Sequence, residues 1–159
     1  MNLTQKISED KEIKIEIKFS TNGYFLSGIR DLAMNFAKNL SGFNEKWAFR
    51  FQTVVDELVS NAIEHGCTEG DEVSLSLLSL KNKYFEVIVE DAGHGDSKIS
   101  AEKLKEVYME KIRQFGASEY VGIRGRGLAQ IVHSWSDEVK FEDIQSGGIR
   151  VKVIKYYSE

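Results

Sequence analysis

A chain of 159 residues with 42% apolar content is long enough to bury the core of one domain without metals or disulfides. Its net charge of −4 does not attract a polyanion, which disfavours direct binding of nucleic acid. Cys67 is the single cysteine, which excludes an intramolecular disulfide and a cysteine-based zinc site. Because neither an apolar leader nor a run of about 18 apolar residues occurs, we expect a cytoplasmic protein without membrane association.

Hydrophobic periodicity predicts five strands and four helices in the order βααββααββ. In chain order, we expect a strand at 12–19, helices at 25–40 and 43–65, strands at 71–80 and 84–91, helices at 100–115 and 128–135, and strands at 137–144 and 148–157. Ser20, Thr21 and Asn22 are candidate caps for the first helix, and Gly66 is a candidate stop for the second. Consecutive strands joined by short turns are antiparallel, so the order predicts an α/β two-layer sandwich: a mixed, mostly antiparallel sheet with helices on one face. No linker signal divides residues 1–159, so we expect a single domain.

The segment "VVDELVSNAIEHG", residues 54–66, combines a core stripe with two polar residues beside it. The stripe consists of Val54, Val55, Leu58, Val59, Ala62 and Ile63. Glu57 and Asn61 stand four residues apart, so a carboxylate and a carboxamide oxygen lie one turn apart and can address one ligand together. Alternatively, Glu57 is a solvated flanking residue and Asn61 an incidental polar position.

The segment "VIVEDAGHGD" places Asp91 directly after an apolar strand and before Gly93 and Gly95. A carboxylate at a strand end can accept a hydrogen bond from the amino group of adenine, and glycines let the backbone approach a ligand closely. The same residues also suit a simple turn.

The segment "GIRGRGLAQIV" brings Gly122, Gly125 and Gly127 immediately before a predicted helix. Backbone N–H groups exposed at a helix start form a phosphate-binding site. The segment is not a P-loop, because GxxxxGK[ST] is absent, and it stands too late in the chain for a dinucleotide-binding fingerprint.

The order of these motifs resembles that of the histidine-kinase-like ATPases with the Bergerat ATP-binding fold (the GHKL superfamily). "DELVSNAIEHG" is similar to their N box, "EDAGHGD" to the first glycine box and "GRGLAQIV" to the second. The short length, the wording "ELVSNAIEHG" and the closing "SWSDEVKFEDIQSGGIRVKV" look most like the anti-sigma-factor serine/threonine kinases. The resemblance covers roughly residues 12–155.

This resemblance implies an Mg-ATP site with defined roles. Glu57 would be the general base, Asn61 would bind Mg²⁺, and Asp91 would recognise adenine. The segment 96–124 would form a lid over the nucleotide. The remaining nucleotide contacts would come from Gly93, Gly95, Arg124, Gly125, Arg126, Gly127 and Leu128.

The resemblance further implies a kinase that binds a sigma factor and phosphorylates a small anti-anti-sigma (STAS) protein, and kinases of this kind are often homodimers. Two departures from the family pattern favour the alternative of a regulatory binding module that holds ATP weakly or not at all. Asp96 follows the first glycine box, where an apolar residue is usual. Ile149 stands where a threonine usually supports the adenine-binding aspartate. An ATP-binding accessory domain for another signalling output is a third interpretation, and His94 is interpreted as a tolerated loop residue.

Overall fold

The computed structural model of this protein describes residues 11–21, 25–95, 99–115 and 127–158. It confirms the predicted order of elements. The strands are β1 (Ile13–Ser20), β2 (Glu72–Leu80), β3 (Tyr84–Glu90), β4 (Glu138–Asp143) and β5 (Ile149–Tyr156). The helices are α1 (Leu26–Leu40), α2 (Glu45–Gly66), α3 (Ala101–Phe115) and α4 (Gly127–Trp135).

The strands form one open sheet in the order β1-β2-β3-β5-β4. Every pairing among the described strands is antiparallel, so this part of the chain forms an antiparallel sheet, not a mixed one. Strand β4 begins at the edge and β5 then returns between β4 and β3, with Val89 opposite Val151. The start of β5 therefore lies beside the end of β3, where the predicted adenine-binding residue follows.

The core lies between the inner face of the sheet and helices α1, α2 and α4. Alternate residues of β2 and β3 face the helices, with Leu75 paired to Val89 and Leu77 to Val87, all at most 2% exposed. The ring of Phe51 on α2 stacks on Phe85 with 4.1 Å between centroids. This packing holds α2 directly over the sheet.

The first helix begins differently from the prediction. Its N-cap residue is Phe25, and no side chain caps the helix, so the expected role of Ser20 or Thr21 is wrong. Ser20 is the last residue of β1, and Asn22 lies outside the described residues. Thr21 instead donates its hydroxyl to the carbonyl of Thr68 (3.3 Å), because the turn that enters β2 lies beside the end of β1.

The second helix has a cap that the sequence analysis missed. The side chain of Asn44 accepts the backbone N–H of Trp47 at 3.0 Å, and α2 begins at Glu45, two residues after the predicted start. The cap and the buried stripe fix the helix axis over the sheet.

Helices α3 and α4 are each held by contacts distant in sequence. The carboxylate of Asp143 accepts the backbone N–H of Ala101 at 2.8 Å, which caps α3 from the end of β4. The guanidinium of Arg50 on α2 lies 4.5 Å from the ring centroid of Trp47 and 5.5 Å from that of Trp135 on α4. Within the described ranges, no helix is long and apolar enough to span a membrane.

Candidate functional site

Glu57 and Asn61 lie on the flank of α2, beside the stripe that packs on the sheet. Both are half-buried, while Leu58 and Val59 next to them are at most 3% exposed. Burial raises the pKa of the Glu57 carboxyl, and the negative charges of Asp56 and Glu64 raise it further. A raised pKa makes this carboxylate a better proton acceptor than an exposed one, which suits a general base.

The neighbouring carboxylate, Asp56, has a structural partner. Arg30 on α1 donates from Nε to Asp56 Oδ1 at 2.8 Å, and this ion pair joins the two helices. The two adjacent acidic residues of α2 therefore differ: Asp56 links α2 to α1, whereas Glu57 lies on the flank that also carries Asn61.

Asp91 follows β3 and is held by the backbone on both sides. Its Oδ1 accepts the N–H groups of Gly93 (3.0 Å) and Ile149 (3.1 Å), and its own N–H donates to the carbonyl of Ile149 at 3.2 Å. Ile149 thus supports Asp91 through its backbone amide, a contact that does not use the side chain at this position. Two backbone N–H groups therefore hold Oδ1 of Asp91.

Gly66 is a site residue that the sequence analysis interpreted only as a helix stop. It is the last residue of α2, and a Cβ on it would lie 2.3 Å from Oδ2 of Asp91, well below contact distance. Gly148 is a second such residue, because its Cβ would lie 2.0 Å from the backbone carbonyl oxygen of Asp91. Gly66 keeps helical backbone, so its glycine serves the close approach of Asp91 rather than an unusual conformation. The sequence offered no signal for this role, because a glycine at a helix end is equally typical of a simple helix stop.

The contact between Gly66 and Asp91 places Asp91 at the C-terminal end of α2. At a rise of about 1.5 Å per residue, Asn61 lies about 7.5 Å and Glu57 about 13.5 Å from Gly66 along the helix axis. Along the helix axis, the order is therefore the contact of Asp91 at Gly66, then Asn61, then Glu57. This axial order matches the roles that the resemblance implies: adenine recognition at Asp91, Mg²⁺ at Asn61 and the base at Glu57.

The loop after Asp91 packs on the end of α2. Gly93 has a φ of 75°, and a Cβ on it would lie 2.3 Å from the carbonyl oxygen of Gly147. A Cβ on Gly95 would lie 2.1 Å from the carbonyl oxygen of His65. Only glycine fits at these two positions, so the spacing of the first glycine box follows from backbone contact on both sides.

The second glycine box is described in part. Gly127 is the first residue of α4, Leu128 is the second, and α4 contacts α2. Arg124, Gly125 and Arg126 lie outside the described residues, as do Gly122 and Asp96, so their predicted roles stay predictions.

The metal prediction depends on the donor at Asn61. Across the described parts of the chain, no group of three or more His, Cys, Asp or Glu side chains is placed to bind a metal. Mg²⁺ in nucleotide sites needs few protein ligands, because phosphate oxygens and waters complete its octahedral shell. The amide oxygen of Asn61 is a hard ligand of this kind, and the half-buried flank of α2 suits such a site.

A comparison with protein families decides which class of domain carries this site. The profile described as the histidine kinase-like ATPase domain matches residues 24–155, which include every candidate site residue. The chain belongs to the histidine kinase-like ATPase family. Membership implies ATP binding and confirms the resemblance at this level, whereas the anti-sigma kinase subtype stays a prediction. No curated protein matches the chain.

Proposed function

We propose that this ATPase domain is an Mg-ATP-dependent serine/threonine protein kinase that acts as an anti-sigma factor and phosphorylates a small anti-anti-sigma (STAS) protein. The observation that carries the proposal is the packing of Asp91 on Gly66, at the end of the helix that bears Asn61 and Glu57. In this proposal, the order along the helix axis is adenine acceptor, metal ligand and base. The choice of a sigma factor and a STAS protein as partners rests on the resemblance of the N box and of the closing strands.

In this mechanism, the backbone-held carboxylate of Asp91 accepts a hydrogen bond from the adenine amino group. Gly95 keeps the loop backbone close to the end of α2, and Gly93 keeps it close to the turn before β5. The nucleotide would lie along the helix beside this loop. The amide oxygen of Asn61 would be the protein ligand for Mg²⁺, which when bound would neutralise charge on the phosphates.

Glu57 carries the proton transfer. As the serine hydroxyl oxygen of the substrate protein forms a bond to the γ-phosphorus, Glu57 accepts the hydroxyl proton. The bond between the γ-phosphorus and the bridging oxygen breaks, and ADP leaves with that oxygen. The raised pKa of Glu57 favours this transfer, because the carboxylate holds the proton more readily than an exposed glutamate does.

The proposal is tested by incubating the protein with ATP labelled on the γ-phosphate, Mg²⁺ and a candidate STAS protein. We expect label on a serine or threonine of the STAS protein, and a loss of about 10²- to 10⁴-fold in Glu57→Ala. Glu45→Gln, which changes an exposed carboxylate in the first turn of the same helix, is the matched control and keeps full transfer.

Two results would contradict the proposal. Label transfer that survives in Glu57→Ala would remove the base from the mechanism. Wild-type protein that binds no nucleotide at millimolar ATP, measured by calorimetry, would replace the kinase with the regulatory binding module.

A further inference from the structure

His94 stands between the two glycines of the first glycine box, at a position that the family motif leaves open. Its ring nitrogen Nδ1 lies 3.0 Å from Oδ1 of Asp71, a residue 23 positions earlier in the turn before β2. The backbone N–H of His94 also donates to the carbonyl of Gly66 at 3.1 Å. One residue of the loop is therefore attached twice, to the end of α2 and to the start of β2.

The hydrogen bond to Asp71 has a defined direction. Oδ2 of Asp71 accepts the backbone N–H of Thr68 (2.7 Å) and its hydroxyl (3.0 Å), which leaves Oδ1 facing the imidazole. The hydrogen bonds from Thr68 and His94 hold the pKa of the Asp71 carboxyl below its usual value. Asp71 is therefore an ionised acceptor at neutral pH, and Nδ1 of His94 carries the hydrogen.

Asp71 is a firm attachment point because its turn is tied to β1. The backbone N–H of Thr21 donates to the carbonyl of Asp71 at 2.9 Å, and the hydroxyl of Thr21 accepts the N–H of Gly70 at 3.2 Å. The side chain of Asp71 is 17% exposed, compared with 63% for His94. The carboxylate thus belongs to the fixed edge of the sheet, and the imidazole reaches it from the loop.

The contact between His94 and Asp71 matters in the loop after Asp91, because glycine allows the backbone more conformations than any other residue. Gly93 and Gly95 flank His94 and carry no side chain, so the imidazole supplies the side-chain contact of residues 93–95, beside the backbone contacts of the loop. Loss of the imidazole contact would loosen this loop, which begins at the proposed adenine-binding residue and would then be held by its backbone contacts alone, and ATP would have to restrict its motion on binding.

We infer that His94 is a positioning residue of the nucleotide site. It acts through Asp71 to hold the loop at 92–95 in the conformation that binds ATP. The inference rests on the proposed ATP binding. His94 then acts without contact to the reacting atoms, and its loss raises the KM for ATP while kcat stays the same.

The test compares His94→Leu, His94→Asn and wild type by calorimetry with Mg-ATP. We expect His94→Leu to weaken ATP binding about threefold to fivefold, the size of one exposed charge-assisted contact. His94→Asn places an amide N–H near the position of Nδ1 and restores most of the affinity. When Asp71→Ala is already present, adding His94→Leu changes the affinity for ATP little, because the imidazole has then already lost its acceptor.

His133→Leu is the matched control, because it removes an exposed histidine from α4 without touching the loop. Hydrogen exchange in the absence of nucleotide gives a second measurement: the amides of His94 and Gly95 exchange faster in His94→Leu than in wild type. Unchanged affinity or exchange in His94→Leu would overturn the inference. Failure of wild type to bind ATP would contradict the proposed function, while the exchange measurement would still test whether His94 holds the loop.

Discussion

The carboxylate of Asp91 packs on the α-carbon of Gly66, so closely that a Cβ on Gly66 would lie 2.3 Å from Oδ2. The two residues belong to different elements, and their contact brings the end of β3 against the end of α2. We expect Gly66→Ala to move Asp91 and to weaken ATP binding by tenfold or more, because a methyl group cannot fit beside the carboxylate. Gly28→Ala is the control, since a Cβ there meets no atom within 4 Å. Calorimetry measures the affinity of both variants for ATP. If Gly66→Ala bound ATP as tightly as Gly28→Ala, that result would contradict the close contact.

Asn61→Ala tests the metal ligand. Removal of the amide oxygen should weaken binding of Mg-ATP while binding of ATP in EDTA changes little, because only the metal-bound form uses this oxygen. Titration of wild type and variant in both conditions measures the difference. An equal loss in Mg²⁺ and in EDTA would show that Asn61 contacts the nucleotide or supports the fold instead.

Glu57→Gln should separate stability from activity. Burial first, then the charges of Asp56 and Glu64, raise the folded-state pKa of Glu57 above its ordinary value of 4.5, so the ionised form destabilises the fold at neutral pH. The neutral amide should therefore raise Tm by about 1 °C at pH 7. This gain in Tm over wild type should shrink as pH falls through the pKa of Glu57 in the folded protein. It should vanish below the pKa of Glu57 in the unfolded chain, because the wild-type carboxyl is then protonated in both states. Thermal unfolding at pH 7 and at pH 4 measures this, and a lower Tm of Glu57→Gln at pH 7 would contradict the burial argument.

The same pKa gives the pH dependence of the activity. The base must be ionised to accept a proton, so the rate of phosphoryl transfer should fall as pH is lowered through the folded pKa of Glu57, above 4.5. Glu57→Gln should lose about 10²- to 10⁴-fold in rate at neutral pH, and its residual rate should not fall through this pH range. If the residual activity of Glu57→Gln kept the wild-type pH profile, the fall in rate at low pH would come from the titration of another group.

Phe51→Ala tests the packing that holds α2 over the sheet. Phe51 is 2% exposed and stacks on Phe85, so its truncation should lower the free energy of unfolding by about 3 to 5 kcal/mol. Phe49→Ala, two residues earlier and 57% exposed, should change it by less than about 0.5 kcal/mol. Denaturant unfolding of the two variants measures the contrast, and similar losses would place the two rings in equivalent surroundings.

Local pattern was enough to predict the elements of this fold. Alternation in "EIKIEIKF" and helical spacing in "VVDELVSNAIEHG" depend on neighbours within a few residues, so β1 and α2 were predicted to within two residues at each end. The same spacing predicted that Glu57 and Asn61 share one flank of α2. The family match covers the motifs whose order indicated an ATP site.

Contacts between distant residues escaped that reasoning. Gly66 and Asp91 are 25 positions apart, Asp91 and Ile149 are 58 apart, and Asp71 and His94 are 23 apart. Periodicity carries no information about such pairs, because they arise only when the strands choose their neighbours and the helix settles on the sheet. Thr21 shows the same limit: its residue type indicated a helix cap, but the turn at 68–71 lies closer and takes its hydroxyl. Residue types and spacing thus specified the chemical groups of the site, and the antiparallel pairing of β3 with β5 placed Asp91 where it meets α2.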